Sequence, residues 1–154
     1  MTDMLTDICA KIAQIGAEIS GINLNGVFDP PPANIQTANL PAMFTWTGNA
    51  QHNESELGED FIETTRRFYV QIAVIPTGQG DPNTREKLVR PLIEAALAAF
   101  RKHPKLIGLK WIEKVVVGSD SGVIILPEYG GKFIGVEIPL DVVYIQPRSY
   151  APNE

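Results

Sequence analysis

The chain has few of the residues on which catalytic and extracellular proteins depend. Its 154 residues include one cysteine and two histidines, which excludes an internal disulfide and a cysteine-rich zinc site. Lys and Arg total 13 against 18 Asp and Glu, giving a formal net charge of −5. This balance argues against a dedicated nucleic-acid binder, because such proteins carry a basic patch. We therefore expect no enzyme activity and no catalytic, cofactor or metal-binding residues.

Long apolar runs are also missing. No run approaches the roughly 20 residues that a membrane-spanning helix needs. The first twenty residues carry Asp3, Asp7, Lys11 and Glu18, unlike the basic and then apolar start of a secretory signal. We expect neither secretion nor a membrane partner.

The patterns that are present predict one α+β domain over residues 1–154, with a mainly antiparallel sheet packed against an N-terminal and a central helix. Apolar residues at helical spacing define the first helix, capped by Thr2 or Asp3 and stopped by Gly21: Leu5, Ile8, Ile12, Ile15 and Ile19. The second helix begins at Asp81-Pro82, and Pro91 predicts a kink or a fresh start within it. Strands are expected at 40–47, 61–75, 109–117, 123–126 and 132–145.

The long second strand has two unlike halves. Its inner half, 68–74, is apolar on one face and should lie on the core. Its outer half, 61–67, is polar on both faces. A strand that extends past its own core is a candidate arm for contact with another subunit.

Charged residues flank this outer half. Residues 48–60 are expected to form a mobile acidic loop, and residues 146–154 a flexible tail. We interpret six residues as candidates for a lumen or a subunit interface: Glu54, Glu56, Glu59, Asp60, Arg66 and Arg67. The two arginines, with Lys110 and Lys114, could form a cationic patch, and we favour salt bridges from them to the acidic loop of a neighbouring subunit.

Three further motifs have weak functional interpretations. Gly118-Ser119-Asp120-Ser121-Gly122 has aspartate where a nucleophile elbow needs serine, so we interpret it as a hairpin turn. Gly78-Gln79-Gly80-Asp81 lacks the Gly-Lys-Ser/Thr of a phosphate loop. Pro30-Pro31-Pro32 predicts an extended connector, with a role as a ligand for a polyproline-binding domain as the alternative.

The order of these elements resembles a phage family. An amphipathic helix and a proline-rich connector precede Leu40-Pro41-Ala42-Met43-Phe44, and the segment 67–74 (RFYVQIAV) follows. A loop, a helix and a closing β-meander containing 131–138 (GKFIGVEI) complete the chain. The pattern resembles the tail terminator proteins of long-tailed bacteriophages and related minor tail or head–tail joining proteins.

The resemblance implies a virion protein of the tail or neck, assembled in the host cytoplasm. It would form a homo-oligomeric ring of six subunits on the tail tube protein, end tube polymerisation and meet the head connector. DNA would pass through the lumen, and a negative lumen would let it slide, because tight binding needs cations against phosphates. A head–tail connector or stopper and a small enzyme of unknown activity are the alternatives.

Overall fold

Six strands and two helices form the molecule in a computed structural model that describes residues 3–53 and 60–147. The strands are β1 (Gly26–Phe28), β2 (Ala42–Asn53), β3 (Phe61–Pro76), β4 (Ile112–Val117), β5 (Ile124–Leu126) and β6 (Phe133–Pro147). They make one curled sheet in the order β1-β2-β3-β6-β4, with β5 also paired to β6. Only β1 and β2 are parallel among these pairs. The predicted α+β fold is confirmed.

Side-chain caps begin both helices, α1 (Met4–Ala17) and α2 (Pro82–Arg101). The Asp3 carboxylate accepts from the Thr6 amide at 2.7 Å, and that of Asp81 accepts from the Thr84 amide at 2.8 Å. Each bond satisfies an amide that has no partner within the helix. Helix α1 ends before the predicted stop at Gly21, and α2 continues across the exposed Pro91 without a fresh start.

The main core lies between both helices and one face of the sheet. Phe68, Val70 and Ile72 of β3 are fully buried there, against Ile8 and Ile12 of α1. Alternation along the strand places these β3 side chains on a common face. The prediction for the inner half of the strand is therefore confirmed.

A smaller core covers the other face of the sheet, behind the inner half of β3. Phe44 and Ala73 are buried there, and the proline-rich connector packs over them through Ile35. The Tyr129 hydroxyl donates to the Pro32 carbonyl at 2.6 Å, and its ring meets Phe44 edge-on with centroids 5.5 Å apart. The connector is thus part of the packing over this face.

The predicted hairpin at 118–122 is wrong. Strands β4 and β5 do not pair with each other but follow one another along the same edge of β6. The link stays bonded to β6, because the Gly118 and Ser121 amides donate to the carbonyls of Pro139 and Glu137. A Cβ at Gly118 would lie 2.9 Å from the Pro139 ring, so glycine permits this close approach.

Two predicted irregular segments are partly strand. Strand β2 continues through residues 48–53, and β6 continues through Gln146 and Pro147. Both were expected to be irregular because their side chains are polar, yet the backbones pair with β3. Cross-strand hydrogen bonding overrides the weak local preference of these residues. Residues 54–59 and 148–154, the rest of the predicted loop and tail, lie outside the described residues.

Candidate subunit-contact site

The outer end of the sheet is where the sequence placed its candidate residues. The term outer end means residues 61–67 of β3 together with the parts of β2, β4 and β6 beside them. Phe61 pairs with Pro147 and Arg67 with Asp141 on one side, while Glu63 pairs with Asn53 on the other. The outer half is therefore the centre of a sheet and not a projecting arm, which corrects the expected geometry.

Arg66 is held by its own chain on the helix-covered side of the sheet. Its guanidinium donates to the Gly48 carbonyl at 3.0 Å and to the Tyr144 hydroxyl at 3.4 Å. Gly48 lies at the bulge where the β2–β3 register shifts. A Cβ on Gly48 would lie 2.6 Å from the Arg67 carbonyl oxygen, so the bulge requires glycine. Arg66 stabilises this bulge by binding its carbonyl.

Arg67 points to the opposite side and forms a two-pronged ion pair. Its Nε and Nη2 donate to the two Asp141 carboxylate oxygens at 2.9 and 3.1 Å. This hydrogen-bonded pairing raises the pKa of the Arg67 guanidinium. The expected patch of four cations does not share one face, because Arg66 and Arg67 diverge. Their salt bridges to a neighbouring subunit stay a prediction.

The acidic candidates divide between described and undescribed residues. Glu54, Glu56 and Glu59 lie outside the described residues, while Asp60 is exposed immediately before Phe61. Two further carboxyls, which the sequence analysis did not identify, meet nearby across the sheet. A hydrogen bond to Glu113 raises the pKa of the Glu63 carboxyl, with burial and charge repulsion adding to the effect.

An apolar groove of about 440 Å³ opens at the outer end, beside the start of α1. Its walls are Met4, Asp7, Phe61, Trp111, Ile145 and Pro147. Phe61 is 45% exposed although it lies in a fully paired strand. The Trp111 ring packs edge-on against Tyr144 with centroids 5.9 Å apart, which fixes one wall.

Sequence reasoning did not identify this groove. One signal was present, since Phe61 is the only aromatic residue in segment 61–67. The other walls come from a helix start, a loop and the end of β6, and only the three-dimensional structure brings these together. An apolar opening with one charged residue is typical of a contact surface for another protein.

A buried amide links three side chains on the connector-covered face. Gln71 is fully buried; its Oε1 accepts from the Trp46 indole at 2.8 Å. Its Nε2 donates to Glu128 at 2.8 Å and to Glu137 at 2.9 Å. Every polar atom of this amide has a partner, as burial in a low-dielectric environment demands. Its contacts make it a structural element of the fold.

Other reactive groups offer no assembled centre. Cys9 is buried on α1, and desolvation raises the pKa of its thiol. Within residues 3–53 and 60–147, no three His, Cys, Asp or Glu side chains are grouped to hold a metal ion. Over the same residues, neither helix combines the length and apolar character needed to cross a membrane.

Comparison with known proteins adds no relative: no protein-family model matches the sequence, and no curated protein matches it significantly.

Proposed function

We propose that this chain is a structural virion protein that assembles into a homo-oligomeric ring, expected to contain six subunits, at the head-proximal end of a phage tail tube. In this role it ends polymerisation of the tube protein and presents a surface to the head connector, and DNA passes through its lumen. The proposal rests on the sequence resemblance and on one structural observation, the apolar groove at the outer end.

The groove supports self-assembly because it exposes apolar side chains at a rigid site. Phe61 and Pro147 face each other across a paired β3–β6 ladder, so the groove is held by the sheet and does not need to form on binding. Burying apolar surface contributes about 25 cal/mol per Å², and preformed surfaces lose little entropy when they associate. A contact built around Phe61 would therefore be strong for its size.

The order of elements gives the proposal its phage assignment. Helix α1, the proline-rich connector, β2, β3, α2 and the strands β4–β6 follow one another along the chain. This is the order on which the resemblance to tail terminators depends. The polar face that carries Arg67 and Asp141 leaves a second surface for the tube or connector.

Native mass spectrometry and light scattering over micromolar to millimolar concentrations test ring formation. We expect the wild-type chain to reach the mass of six subunits and Phe61→Asp to remain monomeric. Val116→Asp is the matched control, since Val116 is 47% exposed at the same end but does not line the groove. A wild-type chain that stays monomeric throughout would contradict ring formation.

Electron microscopy tests the tail assignment. Purified protein is mixed with tail tubes of the phage that encodes it, and we expect density at one end of each tube together with an end to further growth. Rings that form but leave tube length and tube ends unchanged would refute the terminator role while leaving self-assembly intact.

A further inference from the structure

We propose that the groove at the outer end receives Leu88 of α2 from a second copy of this chain, so that subunits join head to tail. This inference rests on the proposed function, because it names the partner surface of the same groove. Three observations carry it: the position of Leu88, its exposure and the charges on either side of the contact.

Leu88 and the groove lie at opposite ends of the molecule. Phe61 begins β3, and α2 starts six residues after β3 ends at Pro76. The Arg85 guanidinium donates to the Thr77 carbonyl at 2.7 Å, which fixes the start of α2 at that end. β3 spans 16 residues at about 3.3 Å each, and Leu88 lies within the first two turns of α2, so most of the length of the strand separates the two sites.

This separation has a consequence for symmetry. One subunit cannot close the contact on itself, and a contact between two different patches propagates from copy to copy. Such heterologous contacts form a ring when the rotation closes and a filament when it does not. The proposed ring requires a contact of this kind.

Leu88 is suited to enter the groove. It is 45% exposed on the surface of α2, while its neighbour Val89 is fully buried and anchors the helix to the core. A cavity of about 150 Å³ accommodates benzene, so a groove of about 440 Å³ has room for a leucine side chain and part of the helix surface around it.

Position separates Leu88 from Val116, which lies at the outer end itself, and charge separates it from Ile125. Lys87 is exposed beside it, while Arg90 is exposed but paired with Glu86 at 3.1 Å. On the other side of the contact, Asp7 lines the groove and Asp60 is exposed next to Phe61. Ile125 is 56% exposed, but the charged residue nearest to it along the chain is an acid, Glu128. Opposite charges around an apolar contact favour the correct pairing and orientation.

Mixing two broken subunits tests the pairing directly. Phe61→Asp destroys the groove and Leu88→Asp destroys the inserted residue, so we expect each variant alone to be monomeric. Their mixture retains one intact groove and one intact Leu88, so it should form a complex of two subunits and stop there. Circular dichroism verifies folding, and Leu88→Gln repeats the test with a neutral side chain.

The controls separate this inference from the proposed function. Ile125→Asp should assemble like wild type, since it lies away from the proposed contact. Lys87→Glu should raise the concentration for half-assembly by roughly tenfold, and adding Asp60→Lys should recover most of that loss. Lys110→Glu, which adds an acid beside Trp111, should not weaken assembly.

Each outcome has a defined meaning. A two-subunit complex in the mixture supports the inference. Wild-type rings together with intact rings from Leu88→Asp would overturn it and leave the proposed function standing. Monomeric mixtures despite wild-type rings would also overturn it. A wild-type chain that never assembles would refute the proposed function itself.

Discussion

The two ends of the β3–β6 pair share a backbone arrangement and differ in what covers them. Both ends of β3 pair with β6, and the register shifts only between Ala73 and Ile75. The inner end consists of residues 68–76 of β3 and the β6 residues paired with them. There, helices cover one face and the connector covers the other, so Phe68 and Gln71 are fully buried. At the outer end Phe61 remains 45% exposed. The comparison teaches that backbone pairing makes this end rigid without making it part of the core.

The largest expected difference comes from one residue type in the two halves of β3. Phe68→Ala should lower the free energy of unfolding by about 3–5 kcal/mol, because it leaves a cavity in a packed core. Phe61→Ala should cost about 1 kcal/mol, because its ring is already half in water. Urea unfolding of both variants and the wild type, at a concentration where light scattering shows each chain to be monomeric, measures this difference. Equal losses would show that Phe61 belongs to the core and would break the comparison.

A second contrast concerns polar side chains at the inner end. Gln71→Ala should cost about 2–4 kcal/mol, since it leaves a cavity at a fully buried position and removes the partner of the half-buried Trp46 indole and of two half-buried carboxylates. Gln79→Ala, in the exposed turn after β3, is the matched control and should change stability little. Thermal unfolding of the two variants tests this. If Gln71→Ala lowers the melting temperature no more than Gln79→Ala does, water replaces the amide without penalty.

The inner end was largely predictable from sequence. The apolar alternation of 68–74 and the helical stripe of α1 each encode a burial face, because side-chain direction repeats every two residues in a strand and every 3.6 in a helix. Gln71 gave no such signal. Its burial depends on Trp46, Glu128 and Glu137, which are brought together by long-range pairing.

The outer end was harder to predict, for a physical reason. Polar side chains at 48–53 resemble a loop, and only their pairing with β3 makes them strand. Arg66 and Arg67 are predicted to contact a neighbouring subunit, and that stays a prediction. Alternation sends them to opposite faces, and each has a partner in its own chain. Met4, Trp111 and Pro147 all line the groove. They are far apart in the sequence, so no local pattern indicates that they come together.

The smallest expected effect lies on the exposed polar face of the outer end, in the Glu63–Glu113 pair. The hydrogen bond between these carboxyls raises the pKa of Glu63, so folding favours its protonated form. A raised pKa in the folded state contributes stability at low pH that is lost as pH rises through that pKa. Glu63→Gln should therefore raise the melting temperature slightly at pH 7 and leave it unchanged at a pH below the ordinary glutamate range.

Glu94→Gln, on the exposed surface of α2, is the control for loss of a carboxylate. Scanning calorimetry of the three chains at both pH values measures the difference. A stabilisation equal at both pH values would show that the two carboxyls do not interact, because only an ionised Glu63 repels its neighbour.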